Sequence, residues 1–118
     1  MQDKDNGPSE IIKEVRREGQ AVVLVLAGEI DMKCSVNLRD KLLELLKEKP
    51  PILVVNLAQV EFMDSSGLGT LVEALRWSRR NGGLFKLADL AQSVRNIFEI
   101  SRLDSVFEVY DTEAEALS

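Results

Sequence analysis

The chain has 118 residues, 45% of them hydrophobic and 30% charged, with a formal net charge of −5. That length and balance suit one globular core and exclude disorder and a coiled coil, and the acid excess opposes nucleic-acid binding unless a strong basic patch offsets it. With no histidine and a single cysteine, Cys34, the chain lacks Ser-His and Cys-His nucleophile pairs, most metal sites and any internal disulfide, which suits a reducing compartment.

Residues 1–9 are polar, contain Gly7-Pro8 and read as a flexible tail ahead of a domain spanning 10–118. Met1-Gln2-Asp3-Lys4-Asp5 has neither the basic start nor the apolar run of a secretory signal, so a cytoplasmic location is expected. Ile11 to Arg17 mixes apolar and charged residues, with Ile11, Lys13 and Val15 on one side, and predicts an edge strand guarded by its charges. Glu18-Gly19 suits a tight turn. Ala21 to Ala27 is apolar at every position, as in a strand covered on both faces. It is the longest apolar run in the chain and far short of the roughly 20 residues that cross a bilayer.

Gly28 is expected to break this strand, leaving Glu29, Ile30 and Asp31 in a loop. Leu38, Leu42, Leu45 and Leu46 recur at helical spacing among Arg39, Asp40, Lys41, Glu44 and Lys47, so an amphipathic helix follows, ended by Pro50-Pro51. Ile52-Leu53-Val54-Val55 predicts a short buried strand, leading through Asn56-Leu57 to the segment Glu61 to Gly69. A second helix is expected from about Ser66 to Arg80, with Leu68, Leu71, Val72 and Leu75 on one face and Asn81-Gly82-Gly83 as its stop. Leu84 to Ala88 reads as a strand, Val94, Ile97 and Phe98 as a short helix, Val106 to Tyr110 as a last strand, and Thr112 to Leu117 as a terminal helical turn.

Strands alternate with helices after the first hairpin. This predicts an α/β fold with a mixed, mostly parallel sheet of about four to five strands, an antiparallel N-terminal edge strand and about four helices. Functional positions in such sheets lie beyond the carboxyl ends of the parallel strands. Two loops qualify, Gly28 to Asp31 and Met63 to Gly69, and they are expected to form one patch with the exposed face of the second helix.

The second loop places Asp64, Ser65 and Ser66 at a helix start, where side-chain oxygens accept bonds from free backbone N–H groups. Capping accounts for one of the three. Gly67 and Gly69 strip side chains from the first turn and are expected to let another molecule approach the backbone. A phosphate on a serine here would meet N–H donors and a partial positive charge, so the residue could be modified while the domain stays folded. Enzymatic readings fare worse. A nucleophile elbow needs glycine two residues before its serine, but Met63 and Asp64 hold those places for Ser65 and Ser66. A dinucleotide loop needs a third glycine where Val72 stands, and no Gly-Lys-Ser/Thr run exists. No catalytic residue, metal ligand or cofactor is therefore assigned.

Phe62-Met63-Asp64-Ser65-Ser66-Gly67-Leu68-Gly69 resembles the signature of anti-sigma factor antagonists, the archetype of the STAS family. Gly28-Glu29-Ile30-Asp31 is similar to the family's second short motif, and Asn56-Leu57 and the Gly82-Gly83 stop also fit. The resemblance runs over about residues 11 to 116; the eight-residue block is specific, whereas Gly-Glu-Ile-Asp alone would be weak. It implies a STAS-type domain in which Ser65, directly after the signature acid, accepts a phosphate. It implies an ATP- or ADP-bound anti-sigma factor as partner, a serine kinase of the histidine-kinase-like ATPase fold. The unphosphorylated antagonist binds that kinase and frees a sigma factor, the phosphorylated form lets go, and a metal-dependent serine phosphatase resets it. The antagonist catalyses nothing and is expected to be a monomer in bacterial partner-switching control of transcription. The implied partner-binding residues are Gly28, Glu29, Ile30, Asp31, Met63, Asp64, Ser65, Ser66, Gly67, Leu68 and Gly69. The alternative is a STAS scaffold or ligand-binding subunit of another, stressosome-like signalling complex, with Ser65 structural. Met32-Lys33-Cys34 departs from the polar residues many relatives carry after the second motif, which bears on partner choice rather than on the switch.

Four further features have two readings each. Trp77 lies off the apolar face of its helix and is either plain surface or a partner contact. Arg76, Arg79 and Arg80 are either a solvated helix end that complements the helix dipole or a site for an anionic partner. Cys34 near a helix start is either packing or a thiol of lowered pKa. Asp31 is either a helix cap or functional.

Overall fold

The apolar run at Ala21 to Ala27 sets the layout, because a strand with no polar face needs cover on both sides. In the computed structural model, which describes residues 11–118, that run lies inside strand β2 (Ala21–Ile30). β2 pairs antiparallel with β1 (Ile12–Glu18) and parallel with β3 (Ile52–Met63). Strands β4 (Leu84–Ala88) and β5 (Glu108–Tyr110) add in parallel, so the sheet runs β1-β2-β3-β4-β5 in chain order. Helices α1 (Ser35–Leu46), α2 (Ser65–Arg80), α3 (Gln92–Ile100) and α4 (Glu113–Leu117) and a 3₁₀ turn at Leu103–Ser105 complete it. This is the α/β architecture expected, with five strands, an antiparallel N-terminal edge and four helices. The expected tail at residues 1–9 and the first residue assigned to the domain lie outside the described residues.

The main core fills the face where β2 and β3 present Val22, Leu24, Leu26, Leu53, Val55 and Leu57. Helix α1 adds Leu38, Leu42, Leu45 and Leu46, α2 adds Leu71, Ala74 and Leu75, and α3 adds Val94 and Phe98. Phe98 meets Phe107 edge-on, with ring centroids 5.7 Å apart. The other face is smaller. Val23, Val25, Val54 and Ala88 pack there with Ala116 of α4.

Polar contacts hold α4 on that second face. Thr112 caps it, its hydroxyl accepting the Glu115 N–H at 3.1 Å. Both carboxylate oxygens of Glu113 accept from Arg16 of β1 at 2.7 Å, and Asn56 of β3 donates to the same carboxylate. Lys86 is only 6% exposed. Its ammonium donates to the Ala116 carbonyl at 2.8 Å and lies 5.0 Å from the centre of the Tyr110 ring, so the buried cation has both an acceptor and a π-face.

Four boundaries differ from the sequence reading. Gly28 does not end β2: at φ +89° it sits beside a bulge, after which Glu29 pairs with Phe62 and Ile30 with Met63. Glu29 and Ile30 therefore belong to a strand, not a loop. β3 correspondingly runs well past Val55 to Met63, and it is this extension that gives the end of β2 a partner. α2 begins at Ser65, and its buried stripe is Gly67, Thr70, Leu71, Ala74, Leu75 and Ser78, with Leu68 and Val72 only partly buried beside it. The last strand is confined to Glu108–Tyr110, because Phe107 turns into the core while Val106 stays exposed.

Candidate functional site

The extended ends of β2 and β3 bring the two sequence motifs together. Asp64 donates its backbone N–H to the Ile30 carbonyl at 3.0 Å, joining the β3–α2 junction to the end of β2. Asp64 is also the N-cap of α2, in an extended conformation. Its Oδ1 accepts from the backbone N–H of Ser66 at 2.9 Å and of Gly67 at 3.2 Å, and from the Ser66 hydroxyl at 2.6 Å. The Ser66 hydroxyl does most to hold the Asp64 carboxyl below its usual range. Burial opposes this, and the backbone N–H groups of Gly67, Ser66 and Met32 reinforce it.

The two serines differ sharply in this setting. Ser66 is half-buried, its hydroxyl is committed to Asp64, and its carbonyl accepts from the Thr70 hydroxyl at 2.9 Å. Ser65, the first residue of α2, is exposed, and its hydroxyl makes no hydrogen bond among the described residues. It stands at the N-terminus of a 16-residue helix, where a partial positive charge favours an anion.

The two glycines of the motif also part company. A Cβ on Gly67 would lie 2.6 Å from Met63 Cγ and 2.9 Å from Ile30 Cγ2, so this residue lets α2 press against the ends of β2 and β3. This corrects the expectation that Gly67 opens the helix to another molecule. A Cβ on Gly69 would meet nothing within 4 Å, so only this second glycine faces open space.

In the β2–α1 loop, the Asp31 carboxylate accepts the Lys33 N–H at 2.9 Å and the Asp31 carbonyl accepts from Cys34 and Ser35 at 3.1 and 3.0 Å. Asp31 thus shapes the turn into α1, whose N-cap is Cys34 with no side-chain cap bond. Cys34 is 4% exposed, and burial pushes its thiol up, which corrects the lowered-pKa reading.

The candidate residues now sort by position. Glu29, Ser65 and Gly69 are exposed, and Gly28, Asp31, Asp64, Ser66 and Leu68 are half-buried. Ile30, Met63 and Gly67 are buried and support the surface from beneath. Two features here escaped sequence reasoning as parts of the site. Met32, 74% exposed, shares a hollow with Asp31, Lys33 and Asp64; in the sequence it stands out as part of Met32-Lys33-Cys34, a departure bearing on partner choice, but not as a partner-binding residue. Arg39 of α1 pairs with Glu73 of α2 at 3.1 Å, a contact between helices that local pattern does not show. Farther along α2, Trp77 is 38% exposed and borders a groove with Gly69, Val72, Glu73, Arg76 and Arg80.

Among the described residues no group of three or more His, Cys, Asp or Glu side chains is placed to hold a metal ion, and no helix is long and apolar enough to cross a membrane. What the site offers is one open hydroxyl at a helix N-terminus on a rigid seam.

A family model for the STAS domain matches residues 12–116. The sequence is 31% identical over 96 residues to the anti-sigma-B factor antagonist of Bacillus subtilis, covering 81% of this chain and 87% of the relative. The fold is similar to that of an anti-sigma factor antagonist from Mycobacterium paratuberculosis, with a TM-score of 0.81, 29% identity and 88% of each chain covered. It is also similar to the phosphorylated form of the Bacillus cell fate determinant SpoIIAA, with a TM-score of 0.66, 27% identity and coverage of 90% of this chain and 94% of that one.

Proposed function

The chain belongs to the STAS domain family, and from that premise we propose that it is an anti-sigma factor antagonist switched by phosphorylation of Ser65. Unphosphorylated, it binds an anti-sigma factor that is also a serine kinase, and a sigma factor goes free. Phosphorylated, it releases that partner until a serine phosphatase restores the hydroxyl.

One observation carries the reading: of two adjacent serines, Ser66 is tied to the capping carboxylate while Ser65 is exposed and unengaged. The similarity to a protein solved in a phosphorylated form supports it from outside the chain. In the transfer, Ser65 Oγ forms a bond to the γ-phosphorus of ATP, ADP leaves, and the hydroxyl proton passes to a base. Asp64 is a poor candidate for that base, because it is hydrogen-bonded to Ser66 and Gly67 and held well ionised. The base and the nucleotide site therefore belong to the partner.

Release follows from desolvation. The modification adds about −1.5 to −2 charges at neutral pH. In the free protein the helix N-terminus and water accommodate them. Pressed into an interface, a dianion loses water without an assured counter-charge, and a loss of about 3 kcal/mol weakens binding more than about a hundredfold. The partner surface comprises the exposed Glu29, Ser65 and Gly69, the half-buried Asp31 and Asp64, and the outer face of α2.

The test uses the anti-sigma factor kinase captured on the unphosphorylated protein in the presence of ADP. Incubation with that kinase and ATP, followed by mass spectrometry, should map one phosphate to Ser65. Ser65→Ala should bind and resist phosphorylation, and the phosphoprotein should bind at least about a hundredfold more weakly. A phosphate on Ser66, or a phosphoprotein that holds the kinase as tightly as before, sinks the reading.

A further inference from the structure

On a chain with a net charge of −5, the second half of α2 is an exception. Arg76, Arg79 and Arg80 are all exposed, and among the described residues none of them has an ion-pair partner. The acid nearest in sequence, Glu73, borders the same groove but is paired with Arg39 of α1 at 3.1 Å, so two cations flank its one charge and the groove keeps a positive balance. Arg76 and Arg80, one turn apart, border the α2 groove together with Val72 and the half-exposed Trp77. The floor beside them is Gly69, where a Cβ would meet nothing. An apolar indole sharing a groove with two planar guanidinium forks suits a segment that offers carboxylates beside an apolar stem.

Ser65 lies on the same face of α2 as the groove. Positions 65, 69, 72, 73, 76 and 80 recur on one face of α2 at intervals of three and four residues, so a partner seated over Ser65 and lying along the helix reaches the arginines next. This rests on the reading of Ser65 as the partner's contact. We propose that the groove between Trp77, Arg76 and Arg80 seats an acidic segment of the protein that engages Ser65, and that it selects partners by charge.

Ser65 and Arg76 lie about 16 Å apart along the helix axis, beyond a Debye length of about 10 Å at 0.1 M salt. A phosphate at one end therefore leaves the arginine end largely unaltered. The groove reads who binds, and the serine sets when binding ends.

Trp77 is the chain's single tryptophan and reports on the groove directly. A glutamate decamer is titrated into the full chain and followed by tryptophan fluorescence, beside a glutamine decamer and a single-stranded oligonucleotide of equal charge. The glutamate peptide should saturate, bind at least about tenfold tighter than the glutamine peptide, and weaken as salt is raised. Arg76→Glu/Arg80→Glu should lose at least about tenfold of that affinity, and Arg76→Gln/Arg80→Gln an intermediate part. Arg95→Glu, which alters an arginine of α3 paired with Asp111 instead, should lose none. The proposal is overturned if fluorescence does not saturate, if both Arg76/Arg80 variants bind like the parent, if Arg95→Glu loses as much, or if the oligonucleotide binds as tightly as the peptide. The titration needs no kinase and the phosphate map needs no peptide, so a failure here is separable from a failure at Ser65.

Discussion

Helices α2 and α4 begin in the same way and end up with opposite properties. Each has an extended N-cap whose side chain accepts backbone N–H bonds, Asp64 for α2 and Thr112 for α4. At α4 the first helical residue is Glu113, an anion already matched by Arg16 and Asn56. At α2 it is Ser65, neutral, exposed and unmatched. The α4 start carries its charge and its counter-charge from synthesis onward, and it fastens a helix to the sheet. The α2 start has the same field at its N-terminus with nothing placed in it. The contrast teaches that what sets one helix start apart from another is what is left unpartnered there, not the cap.

Three substitution experiments press on that contrast. The largest effect is expected at the seam beneath α2. Gly67→Val should cost about 1–3 kcal/mol, because its side chain overlaps Met63 and Ile30 with no room to move. Urea unfolding measures this, and an unchanged midpoint would mean the α2 start is not rigidly seated.

A middle effect is expected at α4. Burial pushes the Glu113 carboxyl up, but the hydrogen bonds from Arg16 and Asn56 and the charge of Arg16 outweigh it and leave the group below its usual range. The stabilisation is therefore present above the ordinary glutamate range, near about 4.3, and is lost as pH falls through the lower folded value. Amide exchange in α4 should quicken in acid. Glu113→Gln should cost about 1 kcal/mol at neutral pH and flatten that acid response. A variant with the parent's pH profile would remove Glu113 from the account.

The smallest pair separates the serines. Ser66→Ala breaks the bond to Asp64 and should cost about 1 kcal/mol, whereas Ser65→Ala should fall within about 0.5 kcal/mol of the parent. Equal losses would erase the distinction on which the proposed switch depends.

Much of this was legible in the sequence, and the gaps have physical causes. The all-apolar β2 run, the leucine spacing of α1 and the glycine stop of α2 are local signals, and each produced its element. Sequence places the end of β2 at Gly28 because glycine usually punctuates a strand, while the pairing that carries the chain past Gly28 comes from a β3 extension containing Asn56, Gln59 and Glu61. Those polar residues hid the extension itself. Asp64, Ser65 and Ser66 were found as a group, but which hydroxyl is engaged depends on side-chain geometry within a single turn. The fastening of α4 by Arg16 joins residues 97 positions apart, and Lys86 finds its acceptor at Ala116, 30 positions away. Neither leaves a periodic trace.

The strand order has a consequence for synthesis. Because the sheet runs β1 to β5 in the order of translation, each strand leaving the ribosome finds its neighbour already in place at the growing edge, and no earlier gap waits to be filled. By the time Ala88 emerges, four strands can be zipped together, and the front helices α1 and α2 can follow as they appear. The rear face is the exception. The buried Lys86 and the cation of Arg16 stay without their α4 partners until Glu113 and Ala116 have been made. The nascent chain therefore forms the α2 start before its rear closure, and the synthesis of α4 is the step that seals the domain.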